Sequence, residues 1–158
     1  ASSIDRMRLV DISLVATRIQ ALHSKGRSSV EVDAPAGLLV RGHEDRLERV
    51  LGHLVQNAVE ASGDDSPVVM RAMRDGDDVV IDVSDKGKGM TPDFVRDRLF
   101  KPFQTTKDSG TGIGAYESQQ YVKQIGGRLE VDSAPDQGTC VRVRLRAVPT
   151  EQAAETGT

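Results

Sequence analysis

The sequence predicts an α+β fold, a two-layer sandwich in which one mixed sheet is covered on a single face by helices. Strand-like and helix-like segments are segregated along the chain, which is typical of this class. Two strand-like runs are also joined directly through Asp75-Gly76-Asp77, a tight-turn signal within a hairpin. A doubly wound fold requires strands that alternate regularly with helices, so this hairpin argues against it.

Length and composition predict one soluble globular domain. The chain has 158 residues, of which 37% are hydrophobic and 28% charged. A formal charge of -3 gives no reason to expect nucleic-acid binding through a basic surface. Cys140 is the single cysteine, so no internal disulfide can form. With no secretory signal and no run of the roughly 18 apolar residues that a membrane span needs, we expect a cytoplasmic domain, compatible with a membrane-anchored parent protein.

The N-terminal part of the sequence predicts one helix and two short extended segments. Apolar residues between 4 and 22 recur at near-helical spacing. Residues 29–33 alternate like a strand, and a turn at 34–37 leads to an extended piece at 38–41. We therefore divide the chain into an N-terminal helical segment (1–28), the main domain (29–148) and a frayed tail (149–158).

Residues 44–61 form the strongest helical pattern in the sequence. The apolar positions recur at steps of three and four and are Leu47, Val50, Leu51, Leu54, Val55 and Ala58. A second stripe, His53, Asn57 and Glu60, runs beside them. Polar groups that border a buried face are well placed to line a cleft.

The C-terminal half predicts four strands and two helices. The strands are 68–74, 79–84, 128–133 and 139–145. Thr91-Pro92 begins a short helix through Leu99, and residues 100–109 are a loop. A further helix from about Ile113 to Ile125 ends at Gly126-Gly127.

Two glycine-punctuated turns hold the candidate site. If the strand after Val79 continues one step, Asp85 points to the same apolar face as Val83, and a buried carboxylate needs a donor that a ligand can supply. Gly87 and Gly89 follow at alternate positions and permit a close backbone approach. The second turn, 110–114, stands beside a helix start, where free amides attract phosphate. One turn is expected to bind a base and the other to bind phosphates.

Four motifs in order resemble those of sensor histidine kinases. Residues 53–58 (HLVQNA) resemble the N box, 85–89 (DKGKG) the G1 box, 100–103 (FKPF) the F box, and 110–114 (GTGIG) the G2 box. The resemblance covers about residues 44–146. It implies the Bergerat-type ATP-binding fold shared with gyrase, the ninety-kilodalton heat-shock chaperones and MutL proteins, with a lid at about 101–111. The residues after the G2 box, 112–117, resemble the branch linked to exosortase (PEP-CTERM) and exopolysaccharide systems.

The resemblance implies a role for each motif residue. Asn57 would bind magnesium, Lys107 would reach the terminal phosphates, and His53 stands where related ATPases carry a catalytic glutamate. A half-buried structural histidine explains His53 equally well. The implied cofactor-binding residues are Asp85, Gly87, Gly89, Thr106, Gly110, Thr111, Gly112, Ile113, Gly114 and Thr139, of which Asp85 would accept the adenine amino hydrogen. Gly110, Gly112 and Ala115 also fit a dinucleotide fingerprint, but a loop precedes them where that fingerprint requires a strand.

The implied function is that of the ATP-binding catalytic domain of a two-component histidine kinase. It would use ATP and Mg²⁺ to phosphorylate a histidine on a separate dimerisation domain, and the phosphoryl group would then pass to an aspartate of a response regulator. The alternatives are a stand-alone ATPase, an anti-sigma-type serine kinase or a nucleotide-binding regulatory module. His43 precedes acidic residues as an acceptor histidine would, but it opens the helix that carries Asn57 and cannot easily reach its own pocket. We expect a fragment that binds ATP without phosphorylating itself.

Overall fold

The computed structural model describes residues 7–23, 30–62, 67–87 and 111–148. Their secondary structure confirms the predicted class. In chain order the elements are β1 Arg8–Asp11, α1 Ile12–Leu22, β2 Val30–Asp33, β3 Leu39–Gly42, α2 Glu44–Ser62, β4 Val68–Asp75, β5 Asp78–Asp85, α3 Thr111–Gln124, β6 Arg128–Ser133 and β7 Thr139–Arg146.

Five strands form a mixed sheet in the order β2-β4-β5-β7-β6. β2 pairs in parallel with β4, and the remaining neighbours pair antiparallel. The predicted hairpin joins β4 to β5, and Gly76 in its turn has φ 60°, a conformation that glycine adopts without steric strain. β1 and β3 form a separate two-stranded antiparallel sheet.

The N-terminal segment differs from its prediction. Residues 4–22 were expected to form one helix, but Arg8–Asp11 is a strand, and the helix begins only at Ile12. Val10 pairs with Val40 in the small sheet, and the Asp11 carboxylate accepts a hydrogen bond of 2.9 Å from the Ser13 amide, which caps the helix. The cap and the pairing with β3 therefore override the helical spacing of the apolar residues.

One hydrophobic core lies between the five-stranded sheet and the helices. The predicted stripe of α2 is buried in it, together with the inner face of β5 at Val79, Ile81 and Val83. α1 contributes Ile12 and Ile19 to the same cluster, so the N-terminal segment shares the core of the main domain. Burying one such side chain contributes roughly 1.5–3 kcal/mol.

The end of β7 is bonded to two earlier parts of the chain. Ala147 forms an isolated antiparallel bridge with Val40 and donates its amide to the Asp77 carbonyl at 2.8 Å. Val148 donates its amide to the Leu39 carbonyl at 2.9 Å. These bonds join the small sheet to the large one.

Several predicted segments lie outside the described residues. They are the helix at 91–99, the lid at about 101–111 apart from Thr111, and the tail at 149–158. Within the described ranges, no helix has the length and apolar content needed to cross a membrane.

Candidate functional site

Asp85 is the last residue of β5 and lies on the inner face of the sheet. Its relative exposure is 8%, so the predicted inward direction is confirmed. Its Oδ1 atom accepts a hydrogen bond of 2.8 Å from the Gly87 amide. The second carboxylate oxygen, Oδ2, provides further acceptor positions at the edge of the core.

Burial raises the pKa of Asp85 above its ordinary value, because desolvation disfavours the carboxylate anion. Hydrogen bonds from the backbone of Gly87 and Thr139 act in the opposite direction and lower it. Among the described residues, no cationic side chain contributes to this balance. The site is thus suited to an uncharged hydrogen-bond donor, such as an amino group.

The turn after Asp85 lies against the C-terminal end of α2. A Cβ atom added to Gly87 would come 2.2 Å from the Ala61 carbonyl oxygen, which is far inside contact distance. Glycine is therefore required there for a close approach of backbone to backbone. Asn57 is one helical turn before Ala61 on α2, so this contact brings the Asn57 turn of the helix near the Asp85 turn.

Thr139 and Gly138 border Asp85 on the other side. Thr139 is the cross-strand partner of Asp85 in β7 and is half-buried. Gly138 has φ 80°, and a Cβ atom there would lie 2.2 Å from the Asp85 carbonyl oxygen. On the far side, Ser133 of β6 is the cross-strand partner of Thr139, and their hydroxyl oxygens are 2.8 Å apart.

The two predicted residues of α2 differ in exposure. Asn57 is half-buried beside the apolar stripe, as expected for a residue that borders a cleft, whereas His53 is exposed. His53 lines a groove between α2 and α3 together with Val50, Glu117 and Ser118. The half-buried structural histidine that was the alternative for His53 is therefore wrong.

α2 and α3 pack antiparallel. The Tyr121 hydroxyl accepts a hydrogen bond of 2.8 Å from the His43 amide at the start of α2, whereas Ser118 lies with His53 further along. The first residue of α3, Thr111, therefore lies towards the Asn57 end of α2. The predicted residues Gly112, Ile113 and Gly114 belong to this first turn of α3.

His43 is buried beside Tyr121 of α3. It is 8% exposed, its Nδ1 atom lies 3.0 Å from the Tyr121 hydroxyl, and the Arg46 guanidinium stands 4.6 Å from the centre of the Tyr121 ring. Burial raises the pKa of Tyr121, while the His43 amide and the Arg46 charge lower it. A histidine buried in these contacts is not presented to an external phosphoryl donor, in agreement with the sequence argument.

The structure brings Asp85, Gly87 and Thr139 together and places Asn57 on the adjoining helix. Gly89, Thr106, Lys107 and Gly110 lie outside the described residues. Sequence reasoning missed Ser133 and Tyr121. Counting the register back from the short turn between β6 and β7 would have set Ser133 opposite Thr139, but no local pattern pairs Tyr121 with His43.

The residues present fit an adenine nucleotide. A buried carboxylate without a cationic partner in the described chain matches an exocyclic amino group, and two glycines allow the backbone to pack closely around it. The Asn57 amide oxygen is a hard donor of the kind that Mg²⁺ accepts.

Comparisons with known proteins agree with this reading. Residues 42–149 match the family described as histidine kinase-, DNA gyrase B-, and HSP90-like ATPase. The chain is 41% identical over 114 residues to the C4-dicarboxylate transport sensor protein DctB of Rhizobium meliloti, covering 71% of this chain and 18% of that protein. It is 33% identical over 117 residues to sporulation kinase A of Bacillus subtilis, covering 74% and 19%. The chain thus spans about a fifth of the length of these relatives.

Solved structures support the same assignment. The mycobacterial sensor histidine kinase MprB superposes with a TM-score of 0.79 at 25% identity, covering 91% of this chain and 99% of the other. Full-length ShkA in complex with AMPPNP superposes with a TM-score of 0.75 at 25% identity, covering 91% and 32%. Since the family match spans more than half of its length, the chain belongs to the histidine kinase-, DNA gyrase B- and HSP90-like ATPases.

Proposed function

We propose that this chain is the ATP-binding catalytic domain of a two-component sensor histidine kinase. It binds Mg-ATP and positions the γ-phosphoryl group for attack by a histidine on a separate dimerisation domain. That domain and the response regulator that receives the phosphoryl group on an aspartate are its partners. The domain works in the cytoplasm, in a parent protein that extends well beyond these residues.

The observation that carries this proposal is the buried carboxylate of Asp85. It stands between Gly87 and the Gly138-Thr139 turn, where an adenine amino group would meet an acceptor. A hydrogen bond to a charged group contributes roughly 1.5–3 kcal/mol, so this one contact accounts for much of the base recognition. Gly89, Thr106 and Gly110–Gly114 complete the proposed nucleotide site.

Asn57 is the proposed magnesium ligand. It is half-buried on α2, which the Gly87–Ala61 contact holds against the base-binding turn. The metal, when bound with ATP, would neutralise charge on the phosphate oxygens. Asn57 contributes through its amide oxygen, and Lys107 would add a positive charge beside the transferred group.

His53 favours transfer over hydrolysis. It stands where the stand-alone ATPases of the family carry a glutamate that activates water, and its exposed position beside α3 leaves it open to an incoming acceptor. A kinase gains from a weaker base at this point, because water is then a poorer competitor of the acceptor histidine. We assign His53 a hydrogen-bonding role in the transfer.

A phosphotransfer assay tests the function. The purified chain is incubated with Mg-ATP labelled in the γ-phosphoryl group, alone and with the dimerisation domain of a sensor histidine kinase. We expect label on the dimerisation domain that is stable in base and labile in acid, and none on the chain alone. Asn57→Ala should abolish the transfer, and Gln56→Ala is the matched control, since Gln56 is exposed on the same helix and bonded to Glu60.

Two results would contradict the proposal in different ways. Steady phosphate release by the chain alone would indicate a stand-alone ATPase. Tight nucleotide binding without transfer to any supplied histidine domain would indicate a regulatory module or a serine kinase.

A further inference from the structure

Ser133, Thr139 and Asp85 form one row across three neighbouring strands. Ser133 of β6 is the cross-strand partner of Thr139 in β7, and Thr139 is the partner of Asp85 in β5. Directly paired residues point to the same face of a sheet, so all three side chains lie on the inner face. Ser133 is the member of this row furthest from the acid that is proposed to bind the base.

The hydrogen bonds of Ser133 determine which way the Thr139 hydroxyl points. The Ser133 hydroxyl donates to the Gly138 carbonyl oxygen at 3.0 Å, and a serine hydroxyl has only one hydrogen to donate. Either hydroxyl can donate in the 2.8 Å contact between the two oxygens, and with the Ser133 hydrogen on the Gly138 carbonyl we assign it as a donation from Thr139 to Ser133. In this arrangement Thr139 offers only lone pairs to a further partner.

The same bonds hold the Gly138-Thr139 turn in place. Gly138 approaches the Asp85 backbone so closely that a Cβ atom would lie 2.2 Å from its carbonyl oxygen. Ser133 ties the carbonyl group of that glycine and the hydroxyl group of the next residue to β6. Through these two bonds Ser133 is linked to the turn that borders Asp85.

We propose that Ser133 is a positioning residue that keeps the Thr139 hydroxyl an acceptor, so that Thr139 and Asp85 both select a purine with a hydrogen-bond donor at position 6. This inference rests on the proposed function. Adenine carries an amino group at position 6, whereas hypoxanthine carries a carbonyl oxygen there. Two fixed acceptors favour the amino group. A water that bridges Thr139 and the base must donate a hydrogen to the Thr139 hydroxyl oxygen.

The test compares the affinities of Mg-ATP and Mg-ITP by calorimetric titration. The wild-type chain should bind ATP more tightly than ITP. Ser133→Ala frees the Thr139 hydroxyl to turn and donate, so the ATP:ITP affinity ratio should fall about threefold to tenfold, the effect of one hydrogen bond. Ser133→Thr retains a hydroxyl and should keep the wild-type ratio. Thermal melts check that each variant is folded.

The same substitution made in a second variant distinguishes this role from a general effect of Ser133 on the stability of the fold. In Thr139→Val there is no hydroxyl to orient, so adding Ser133→Ala should leave the ratio unchanged, as a double-mutant cycle requires for a coupled pair. Equal losses of ATP and ITP affinity in Ser133→Ala would overturn the inference, and so would an unchanged ratio. The same fall in the ratio with and without the Thr139 hydroxyl would also overturn it. A wild-type chain that binds neither nucleotide would instead overturn the proposed function.

Discussion

Asp85 illustrates the conflict between stability and binding at a single residue. Its carboxylate is buried at the edge of the core and receives a hydrogen bond from the Gly87 amide, yet burial still raises its pKa. A buried charge is unfavourable unless its partners replace the water that it has lost. We infer that the nucleotide supplies the missing donor.

Replacing Asp85 by asparagine should remove base recognition. The side-chain amide of Asp85→Asn places donors where the adenine amino group also donates, so we expect the binding free energy of Mg-ATP to weaken by roughly 2–4 kcal/mol. Calorimetric titration measures the change. An affinity close to that of the wild type would remove Asp85 from the proposed site.

The same variant should change how the stability of the nucleotide-free chain depends on pH. Since the pKa of Asp85 is raised above 3.8 by folding, the folded state binds its proton more tightly than the unfolded state does. Wild-type stability therefore falls as pH rises from 3.8 through the folded pKa, and the loss remains complete above it.

Asp85→Asn lacks this titration. The unfolding free energy of the variant should therefore increase relative to that of the wild type as the pH rises through the same window. Urea unfolding at a series of pH values measures the difference between the two proteins. A difference that stays constant with pH would contradict the raised pKa.

Gly138 should resist substitution for a reason beyond its backbone angle. Gly138→Ala places a methyl group against the Asp85 carbonyl oxygen, whereas Gly37→Ala has φ 92° and open space around the new Cβ atom. Both variants carry the penalty of a positive φ, so the difference in unfolding free energy isolates the contact. We expect Gly138→Ala to lose roughly 1–3 kcal/mol more, measured by urea unfolding. Equal losses would mean that the turn can move away from Asp85 at little cost.

The sequence predicts those site residues whose direction follows from the alternation within one strand. It does not predict residues whose position depends on how two strands pair. The alternation of β5 and β7 is sufficient to direct Asp85 and Thr139 inward, as observed. Ser133 becomes informative only when the register of β6 on β7 is known. The roles of the lid residues, such as Lys107, stay predictions.

At the scale of elements, α2 and α3 are joined near the start of α2 by the Tyr121 hydroxyl. It accepts from the His43 amide and lies 3.0 Å from the His43 ring nitrogen. Gly42 is close to the same contacts, because a Cβ atom there would come 2.7 Å from the Leu47 side chain and 3.3 Å from the Tyr121 hydroxyl. These contacts set the packing of the two helices that are proposed to face the phosphates.

Removing that hydroxyl should destabilise the chain. Tyr121→Phe leaves the buried His43 amide without its acceptor, and we expect the unfolding free energy to fall by about 1–3 kcal/mol. Tyr116→Phe is the control, because Tyr116 lies on the same helix and is only half-buried. Chemical unfolding of both variants measures the contrast. A Tyr121→Phe variant as stable as Tyr116→Phe would show that the His43 amide finds another partner.

Helix and strand prediction failed at the N-terminal element for a physical reason. A strand of four residues is too short for its alternation to be distinguished from one turn of helix. What makes Arg8–Asp11 a strand is its pairing with β3, which lies well downstream in the sequence. α2, by contrast, was predicted almost to the residue because its stripe is long and regular.

At the scale of the whole molecule, α1 is part of the main core although the sequence suggested a domain beginning at residue 29. Ile19→Ala removes a fully buried side chain and should reduce the unfolding free energy by about 2–5 kcal/mol. Leu14→Ala, on the same helix at 59% exposure, should change it by less than about 0.5 kcal/mol. Thermal and urea unfolding compare the two. Similar, small effects would place α1 outside the cooperative unit.

The bonds that join Ala147 and Val148 to the Asp77 and Leu39 carbonyls have a kinetic consequence. The bonds between the small sheet and the large one require the end of β7, so they join segments far apart in sequence. Such topologies pass through slow loop closure and fold more slowly than helical bundles of similar size. On the ribosome, the domain would therefore complete its structure only after residue 148 has left the exit tunnel.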